Sequence, residues 1–251
     1  MSSLFFRDDL ASLPHGVGDV VALHGDEARH AVTVNRMRVG EHTSIGDGQG
    51  LVLSGIVTRA EPRELELVVE TAVRHPEPAV QIVLVQALAK GDRDELAVQT
   101  ATELGVSGVL PWQAERSVSR WTGPKVAKGI DRWSAIVREA SKQSIRPFVP
   151  TVGDLVDTKA LVKAAAGSRM LVLEPTATAR LSQVMLPEPA ATGESALLLL
   201  VVGPEGGISE RELALLTGAG AEAVRLGDEV LRTSSAGPAA LAVLNAALGR
   251  W

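Results

Sequence analysis

The sequence predicts an α/β protein in which a large domain built on a parallel β-sheet follows a smaller, β-rich domain. Three observations predict this class. The apolar run Ala196–Val202 is typical of a strand buried on both faces, as in parallel sheets. After residue 78 the chain alternates between strand-like and helix-like segments, the pattern of α/β domains. The first seventy residues instead contain short alternating segments separated by glycines, which predicts a small β-barrel or sandwich.

The β-rich domain is expected over residues 1–73. One helix is predicted there, over residues 26–34, with Asp26 as its N-cap. The segment Arg74–Pro78 contains two prolines among charged residues and is typical of a linker, so the second domain is expected over residues 78–251. The predicted strands of the first domain are Val20–Leu23, Thr43–Ile45, Leu51–Val57 and Glu64–Val69.

The larger domain has strands and helices in alternation. Its final helix is expected to begin at Pro238, because proline suits the first helical turn, where its missing N–H is not needed. The predicted strands are Val80–Leu88, Gly108–Trp112, Met170–Leu173, Ala196–Val202 and Ala223–Leu226. The predicted helices are Asp92–Leu104, Asp131–Ser144, one that follows Ser209, and one from Pro238 to Leu248.

A glycine-rich turn, Gly203-Pro-Glu-Gly-Gly207, follows the apolar strand directly. Its glycines allow positive φ and the close approach of a ligand to bare backbone. Ser209 precedes Glu212 by three residues, which predicts a capping box at the start of a helix, with Ile208 and Leu213 placed for a hydrophobic staple. The turn would therefore present backbone N–H groups at the carboxyl end of a parallel strand, where α/β proteins bind small ligands.

Several interpretations compete for this turn. A phosphate-binding P-loop would end in Gly-Lys-Ser/Thr, and this turn has no such lysine. A dinucleotide-binding fingerprint would need a different glycine spacing, which this turn also lacks. A third possibility is a site that holds an adenosine-type ligand with several strand-end loops, and a purely structural turn is the alternative for Gly203–Gly207 alone. The segment Leu226–Ala236 also lies between a strand and a helix, and Leu173–Pro175 ends a third strand. These loops are expected to converge on one edge of the sheet.

Composition narrows the function classes. The 251-residue chain has no cysteine, which excludes disulfides, thiolate metal sites and thiol nucleophiles. Its five histidines lack metal-type spacing, so no metal site is predicted. The N-terminus has early acids and no long apolar region, and no apolar run approaches the roughly 20 residues of a membrane span. We therefore expect a soluble, cytoplasmic protein without a membrane partner.

Basic residues are concentrated between Trp112 and Phe148, although the formal net charge is −5. This segment has eight basic residues against three acids, so it is either a solvated helix face or a surface that attracts phosphates. The basic residues are Arg116, Arg120, Lys125, Lys128, Arg132, Arg138, Lys142 and Arg146.

Taken together, the motifs resemble the family of small-subunit ribosomal RNA uridine-N3 methyltransferases, which belongs to the SPOUT superfamily. The resemblance extends in order over nearly the whole chain. It rests on Gly203–Gly207, Leu226-Gly with Leu231-Arg232, Leu88-Ala-Lys-Gly-Asp-Arg93 with Glu103–Val106, Glu115–Val118 with Trp121, Arg132-Trp133, Glu139–Gln143 with Arg146 and Pro150, and His30 with Arg36–Gly40. It implies a trefoil-knotted, parallel-sheet α/β methyltransferase domain with an N-terminal PUA-like β-barrel domain that binds RNA.

The resemblance also implies a cofactor, a substrate and a set of site residues. It implies S-adenosyl-L-methionine as the cofactor, 16S ribosomal RNA or the small ribosomal subunit as the substrate, and a homodimer. The implied cofactor residues are Leu173, Glu174, Gly203, Glu205, Gly206, Gly207, Leu226, Gly227, Leu231, Arg232, Thr233 and Ser234. The residues predicted to contact RNA are Arg36, Arg38, Lys90, Arg93, Arg116, Gln143 and Arg146.

Methylation at uridine N3 requires a neutral imide to lose its proton, so the protein must supply a base or stabilise the forming anion. Glu205 is the predicted base or orienting group, and Arg232 the predicted cation. A helix N-terminal acid is the alternative role for Glu205, and a salt bridge for Arg232. Family members commonly carry an acid where this chain has Ser234. Two other functions stay open: ribose 2′-O-methylation, because the knot and the cofactor loops are shared on this fold, and a non-catalytic RNA-binding or assembly role, because of the missing acid at Ser234.

Overall fold

The structure, a computed structural model, describes residues 3–12, 14–189 and 194–251. It divides into two compact units. The first comprises Met1–Glu77 and Ser141–Val149, and the second comprises Pro78–Ala140 and Pro150–Trp251. The return of the chain to the first unit at Ser141–Val149 is not predicted by the sequence pattern. No described helix is long and apolar enough to cross a membrane.

The first unit is built on a mixed sheet. Its described strands are β1 (Leu4–Phe6), β2 (Val20–His24), β3 (His42–Gly46), β4 (Leu51–Glu61) and β5 (Glu64–Arg74), in the order β1-β3-β4-β5-β2. Among the described strands of this unit, only the β1–β3 pair is parallel. The edge strands β1 and β2 have no ladder between them in this part of the chain, but the Arg7 guanidinium donates to the carbonyl oxygen of Ala22 at 3.1 Å. The sheet is thus a half-barrel, packed around buried side chains such as Phe5, Ile45 and Leu67.

The helix of the first unit begins one residue earlier than the sequence predicts. Helix α1 (Gly25–Arg29) starts after His24, whose extended backbone makes it the N-cap, and it continues as a π-helical turn over His30–Val34. The prediction that Asp26 is the cap is wrong. Strand β2 extends to His24, so Asp26 already lies in the first helical turn, where an acid is favourable.

The second unit contains a parallel sheet, as predicted. Its described strands are β6 (Val80–Ala87), β7 (Gly108–Trp112), β8 (Thr151–Val152), β9 (Arg169–Leu173), β10 (Ala196–Val202) and β11 (Glu222–Val224), in the order β11-β9-β10-β6-β7-β8. β10 pairs with β6 from Ala196 to Val202 and is buried from Leu198 onward, which confirms the prediction for this strand. Because β9, β10 and β11 are parallel, the loops that follow them leave the same edge of the sheet.

The helices of this unit are α2 (Arg93–Glu103), α3 (Pro124–Gln143), α4 (Thr158–Ala165), α5 (Glu210–Gly218) and α6 (Thr233–Ala247). α3 begins at Pro124 rather than at the predicted Asp131. Gly129 lies inside it, and a Cβ there would come within 2.6 Å of the Trp121 ring. Glycine in this helix therefore makes room for a tryptophan.

α6 begins at Thr233, so the prediction that Pro238 lies in its first turn is wrong. Pro238 lies inside the helix and cannot donate the hydrogen bond that an amide there would give to the Ser234 carbonyl. The earlier start follows from Thr233, which is buried and whose hydroxyl donates to the Gly203 carbonyl oxygen at 2.7 Å. The first turn of α6 is thereby attached to the glycine turn.

Candidate active site at the carboxyl edge of the parallel sheet

A cavity of about 420 Å³ lies where β9, β10 and β11 end. Its volume is within the roughly 300–1,000 Å³ of small-molecule sites. Three loops and the start of α6 supply most of its wall: the segment after β9, the glycine turn after β10, and the loop after β11. The lining residues are Arg93, Leu173, Glu174, Pro175, Val202, Gly203, Pro204, Glu205, Gly207, Ile208, Val224, Arg225, Leu226, Gly227, Glu229, Val230, Leu231, Arg232, Thr233 and Ala236.

Most of the residues predicted to hold the cofactor line this cavity. The two exceptions are Gly206 and Ser234. A Cβ on Gly206 would lie 3.3 Å from the Cβ of Arg116, so this glycine packs against that arginine. Ser234 lies in the first turn of α6 but not in the wall. Cofactor contacts are not predicted from the sequence for wall residues such as Ile208, Arg225 and Glu229, although each adjoins or lies within a predicted loop.

The glycine turn requires glycine at two positions for different reasons. Gly207 has a φ of +72°, a left-handed conformation that other residues rarely adopt. At Gly203 a Cβ would lie 2.7 Å from Cγ1 of Ile208, so a side chain there would displace the isoleucine. The capping box after the turn is confirmed: the Ser209 hydroxyl accepts from the Glu212 N–H at 3.1 Å, and the Glu212 carboxylate accepts from the Ser209 N–H at 3.3 Å. Because Gly203 and Gly207 line the cavity, the turn presents backbone without side chains to it at these two positions.

A relay of buried hydrogen bonds connects the turn to the central strand. The Gln86 side-chain amide donates to the carbonyl oxygen of Ala87 at 3.0 Å and to the hydroxyl of Thr233 at 2.9 Å. That hydroxyl in turn donates to the Gly203 carbonyl oxygen. Gln86 and Thr233 are both buried, so the bonds are shielded from water. The relay fixes the end of β6, the turn and the start of α6 relative to one another.

Arg116 holds the other side of the turn. Its guanidinium donates to the carbonyl oxygen of Gly206 at 3.2 Å, and a longer contact of 3.5 Å reaches the carbonyl oxygen of Ile208. The sequence predicts an RNA contact for this arginine. In the structure its side chain supports the backbone of the turn, which is a positioning role that the local sequence does not reveal.

Glu205 joins the turn to the loop between β6 and α2. One of its carboxylate oxygens accepts from the Lys90 N–H and from the Arg93 guanidinium, both at 2.9 Å. Burial acts to raise the pKa of Glu205, but the hydrogen bonds from its own N–H, from Lys90 and from Arg93 outweigh it and lower that pKa. Glu205 is therefore an ionised, paired carboxylate and a weak proton acceptor.

The same loop is anchored at its other end by Asp94. This buried carboxylate accepts from the N–H of Ala89 at 3.1 Å and from the N–H of Glu95 at 2.9 Å. Burial raises the pKa of Asp94 despite these bonds. Asp94 and Glu205 thus accept from the consecutive N–H groups of Ala89 and Lys90.

The pairing of Glu205 predicts a measurable pH dependence. We expect its carboxyl pKa to lie below the ordinary glutamate value, and the substitution Arg93→Gln to raise it, because a donor and a positive charge are lost. Since the folded-state pKa is lowered, any stability from this pair is present above the unfolded-state pKa and is lost as the pH falls through the folded-state pKa. Carboxyl carbon chemical shifts followed by NMR through an acid titration measure the change.

Arg211→Gln is the matched control for this titration, because Arg211 pairs with Glu115 at 3.3 Å and does not contact Glu205. An identical Glu205 titration in Arg93→Gln and the wild type would show that the pair does not form in solution.

The arginines of the cavity wall differ in their pairing. Arg93 pairs with Glu205 at 2.9 Å, and Arg225 pairs with Asp228 at 2.9 Å. Arg232 is exposed and, within the described part of the chain, has no carboxylate within 4.0 Å. Its positive charge is therefore available to a ligand or substrate, and the salt-bridge alternative has no partner among those residues.

The residues predicted to contact RNA are divided between the two units. Lys90, Arg93 and Arg116 belong to the second unit, and Arg36, Arg38, Gln143 and Arg146 to the first. The side chains of Arg36 and Arg38 are exposed and form no ion pair with a described residue. Arg36 has a φ of +56°, which is uncommon for a residue other than glycine.

Protein groups engage several cations of the basic segment. The Lys142 ammonium is buried and lies 2.7 Å from the Glu27 carboxylate. Arg132 pairs with Glu95, and Arg120 donates to the Glu115 carbonyl oxygen at 3.0 Å. Carboxylates thus balance the charges of Lys142 and Arg132, whereas Arg116 and Arg120 donate to neutral carbonyl oxygens and keep their positive charge.

Two models of known protein families match this chain. Residues 75–245 match the model of the RNA methyltransferase domain family, and residues 23–70 match the RNA methyltransferase PUA domain. Ribosomal RNA small subunit methyltransferase E of Mycobacterium tuberculosis is 42% identical over 100% of this chain and 94% of its own length. The Bacillus subtilis protein of the same name is 29% identical over 89% of each chain.

Solved structures show the same fold. The ribosomal RNA small subunit methyltransferase E of Neisseria gonorrhoeae, bound to S-adenosyl methionine, has 29% identity and a TM-score of 0.81, covering 98% of both chains. A Legionella pneumophila methyltransferase in complex with the same cofactor has 27% identity and a TM-score of 0.84, again covering 98% of both. The predicted fold class, an α/β methyltransferase domain after a PUA-like sheet, is confirmed. The chain belongs to the ribosomal RNA small subunit methyltransferase E family.

Proposed function

We propose that this chain transfers a methyl group from S-adenosylmethionine to N3 of a uridine in 16S ribosomal RNA of the small subunit. One observation carries the proposal: residues from three separate loops, predicted in advance to hold the cofactor, line a single cavity at the carboxyl edge of the sheet. Membership of the family, and the cofactor in the two solved relatives, support the same ligand.

The cavity wall fits this cofactor chemically. Leu173, Leu226 and Leu231 offer apolar side chains to an adenine ring, while the bare backbone at Gly203 and Gly207 suits hydrogen bonding to polar edges. When bound, S-adenosylmethionine supplies a methyl group on a positively charged sulfur. The hydrogen bonds of Thr233 and Arg116 hold the glycine turn in place before any ligand arrives.

Arg232 is the proposed catalytic cation. Uridine N3 must lose its proton to become a nucleophile, and a positive charge fixed near the forming anion lowers the cost of that loss. Arg232 is suited to this role because it lines the cavity and has no carboxylate partner among the described residues.

For Glu205 we propose the orienting role, since its hydrogen bonds with Arg93 and Lys90 connect the β6–α2 loop to the glycine turn.

RNA contacts are proposed chiefly for cations with free side chains. Arg36 and Arg38 are exposed and unpaired within the described residues, so they can bind phosphates without first breaking an ion pair. Lys90, Gln143 and Arg146 complete the proposed set. The guanidinium groups of Arg93 and Arg116 already hold the glycine turn, so an RNA contact by either would add to its positioning role.

A homodimer in the cytoplasm is proposed from the family resemblance. Helix α6 has a buried side, where Ala240, Leu241 and Leu244 are inaccessible within the single chain, and an opposite side that is partly accessible to a partner. The sedimentation coefficient in solution tests whether the dimer exists.

A non-catalytic role is the second candidate, because Ser234 replaces the acid that family members commonly carry. Calorimetry with S-adenosylmethionine, followed by transfer of a labelled methyl group to small subunits from a strain lacking this protein, separates the two. We expect binding and close to stoichiometric incorporation into small but not large subunits. Binding without incorporation would establish the non-catalytic role, and absence of binding would refute the proposed cofactor.

A further inference from the structure

The loop Leu226–Arg232 adds an unpaired acid to the cavity wall. Three glutamates line the cavity. Glu174 accepts from the Thr176 N–H at 3.1 Å and from the Thr176 hydroxyl at 2.8 Å, and Glu205 is paired with Arg93. Glu229 has no hydrogen bond or ion pair with any residue that the structure describes. Among the three lining glutamates, Glu229 is therefore the one whose negative charge is not balanced by a described protein group.

Glu229 is an exposed residue of the cavity wall, and its carboxylate lies beside the backbone of Gly227. Its Oε2 is 3.4 Å from the point where a Cβ on Gly227 would be, and Gly227 is itself a wall residue. Because Gly227 has no side chain, nothing at this position separates the carboxylate from the bare backbone of the loop. The neighbouring acid, Asp228, is compensated by Arg225 and does not line the cavity.

We propose that Glu229 is a cofactor-binding residue whose carboxylate binds the cationic portion of the cofactor. The inference rests on the proposed function, since it takes S-adenosylmethionine as the ligand. That molecule carries positive charge on its sulfonium and on its ammonium group, and a fixed carboxylate nearby lowers the energy of either. Loss of the methyl group converts S-adenosylmethionine to S-adenosylhomocysteine, which lacks the sulfonium charge but keeps the ammonium group. Comparing the affinities for these two molecules therefore shows which of the two charges Glu229 binds.

The test is calorimetric titration of the full chain with S-adenosylmethionine and, separately, with S-adenosylhomocysteine. We expect Glu229→Gln to weaken binding of S-adenosylmethionine by roughly tenfold at low salt, the scale of one charge pair near a protein surface. An equal loss for S-adenosylhomocysteine assigns the contact to the ammonium group, and a smaller loss assigns it to the sulfonium. Added salt is expected to weaken wild-type binding more than binding by the variant.

Glu210→Gln is the matched control, since Glu210 is an exposed acid of the same unit that does not line the cavity. Unchanged affinity of Glu229→Gln for both ligands overturns the inference, as does an equal loss in Glu210→Gln. The wild type separates this failure from that of the proposed function: if it does not bind S-adenosylmethionine, the proposed cofactor fails and the role of Glu229 fails with it.

Discussion

Replacement of Arg232 by glutamine is expected to lower the rate of methyl transfer by about 100-fold or more, because removal of one group that stabilises a developing anion typically costs this much. Arg232 lines the cavity, is exposed, and has no carboxylate partner among the described residues, in contrast to Arg93 and Arg225. Its charge is thus free to act on the substrate. Cofactor affinity is expected to change much less than turnover, since the apolar and backbone walls of the cavity remain.

The measurement is single-turnover methyl transfer to small subunits, with cofactor affinity determined in parallel by calorimetry. Arg232→Lys is expected to recover part of the rate, because it keeps the charge but not the planar donor geometry. Arg180→Gln serves as the control, since Arg180 is exposed in the same unit but does not line the cavity. An unchanged turnover in Arg232→Gln would place the chemistry elsewhere, and a loss confined to cofactor affinity would make Arg232 a binding residue.

Replacement of Glu212 by alanine is expected to lower the free energy of unfolding by about 3 kcal/mol, the scale of breaking a buried, hydrogen-bonded charge. Glu212 is completely buried. Its carboxylate accepts from the Thr158 hydroxyl at 2.7 Å, the Glu115 N–H at 2.9 Å and the Ser209 N–H at 3.3 Å. Without it these donors lose their partner, and the capping box of α5 is also lost.

Urea unfolding followed by circular dichroism measures this change. Glu212→Gln is expected to cost less, because it retains the shape and one acceptor oxygen. Glu210→Ala is the matched control, an exposed acid in the first turn of the same helix. A cost for Glu212→Ala no larger than that for Glu210→Ala would show that the buried network contributes little to stability.

The elements that surround the cavity can be predicted in part from short stretches of sequence. The burial of β10, the glycine turn and the capping box of α5 depend on residues within a few positions of one another, so the sequence is sufficient to predict them. The start of α6 is different. Pro238 is a strong local signal for a first turn, yet the helix begins at Thr233, whose hydroxyl bonds to a carbonyl thirty residues earlier.

Side-chain partnerships across the unit are also beyond the local pattern. Glu205 and Arg93 are 112 residues apart, and Arg116 and Gly206 are 90 apart. The sequence therefore predicts that these arginines are surface cations that contact RNA. In the structure their guanidinium groups donate hydrogen bonds to residues of the glycine turn. Lys142 is a further case, since its burial beside Glu27 depends on the return of the chain to the first unit.

The central claim is methyl transfer to uridine N3, and the identity of the methylated nucleoside tests it most directly. Small subunits from a strain lacking this protein are treated with the protein and S-adenosylmethionine, the RNA is digested to nucleosides, and the product is identified by mass spectrometry. We predict N3-methyluridine at a single position of the small-subunit RNA. A uridine methylated on its ribose 2′-oxygen would contradict the claim and establish the other activity considered for this fold.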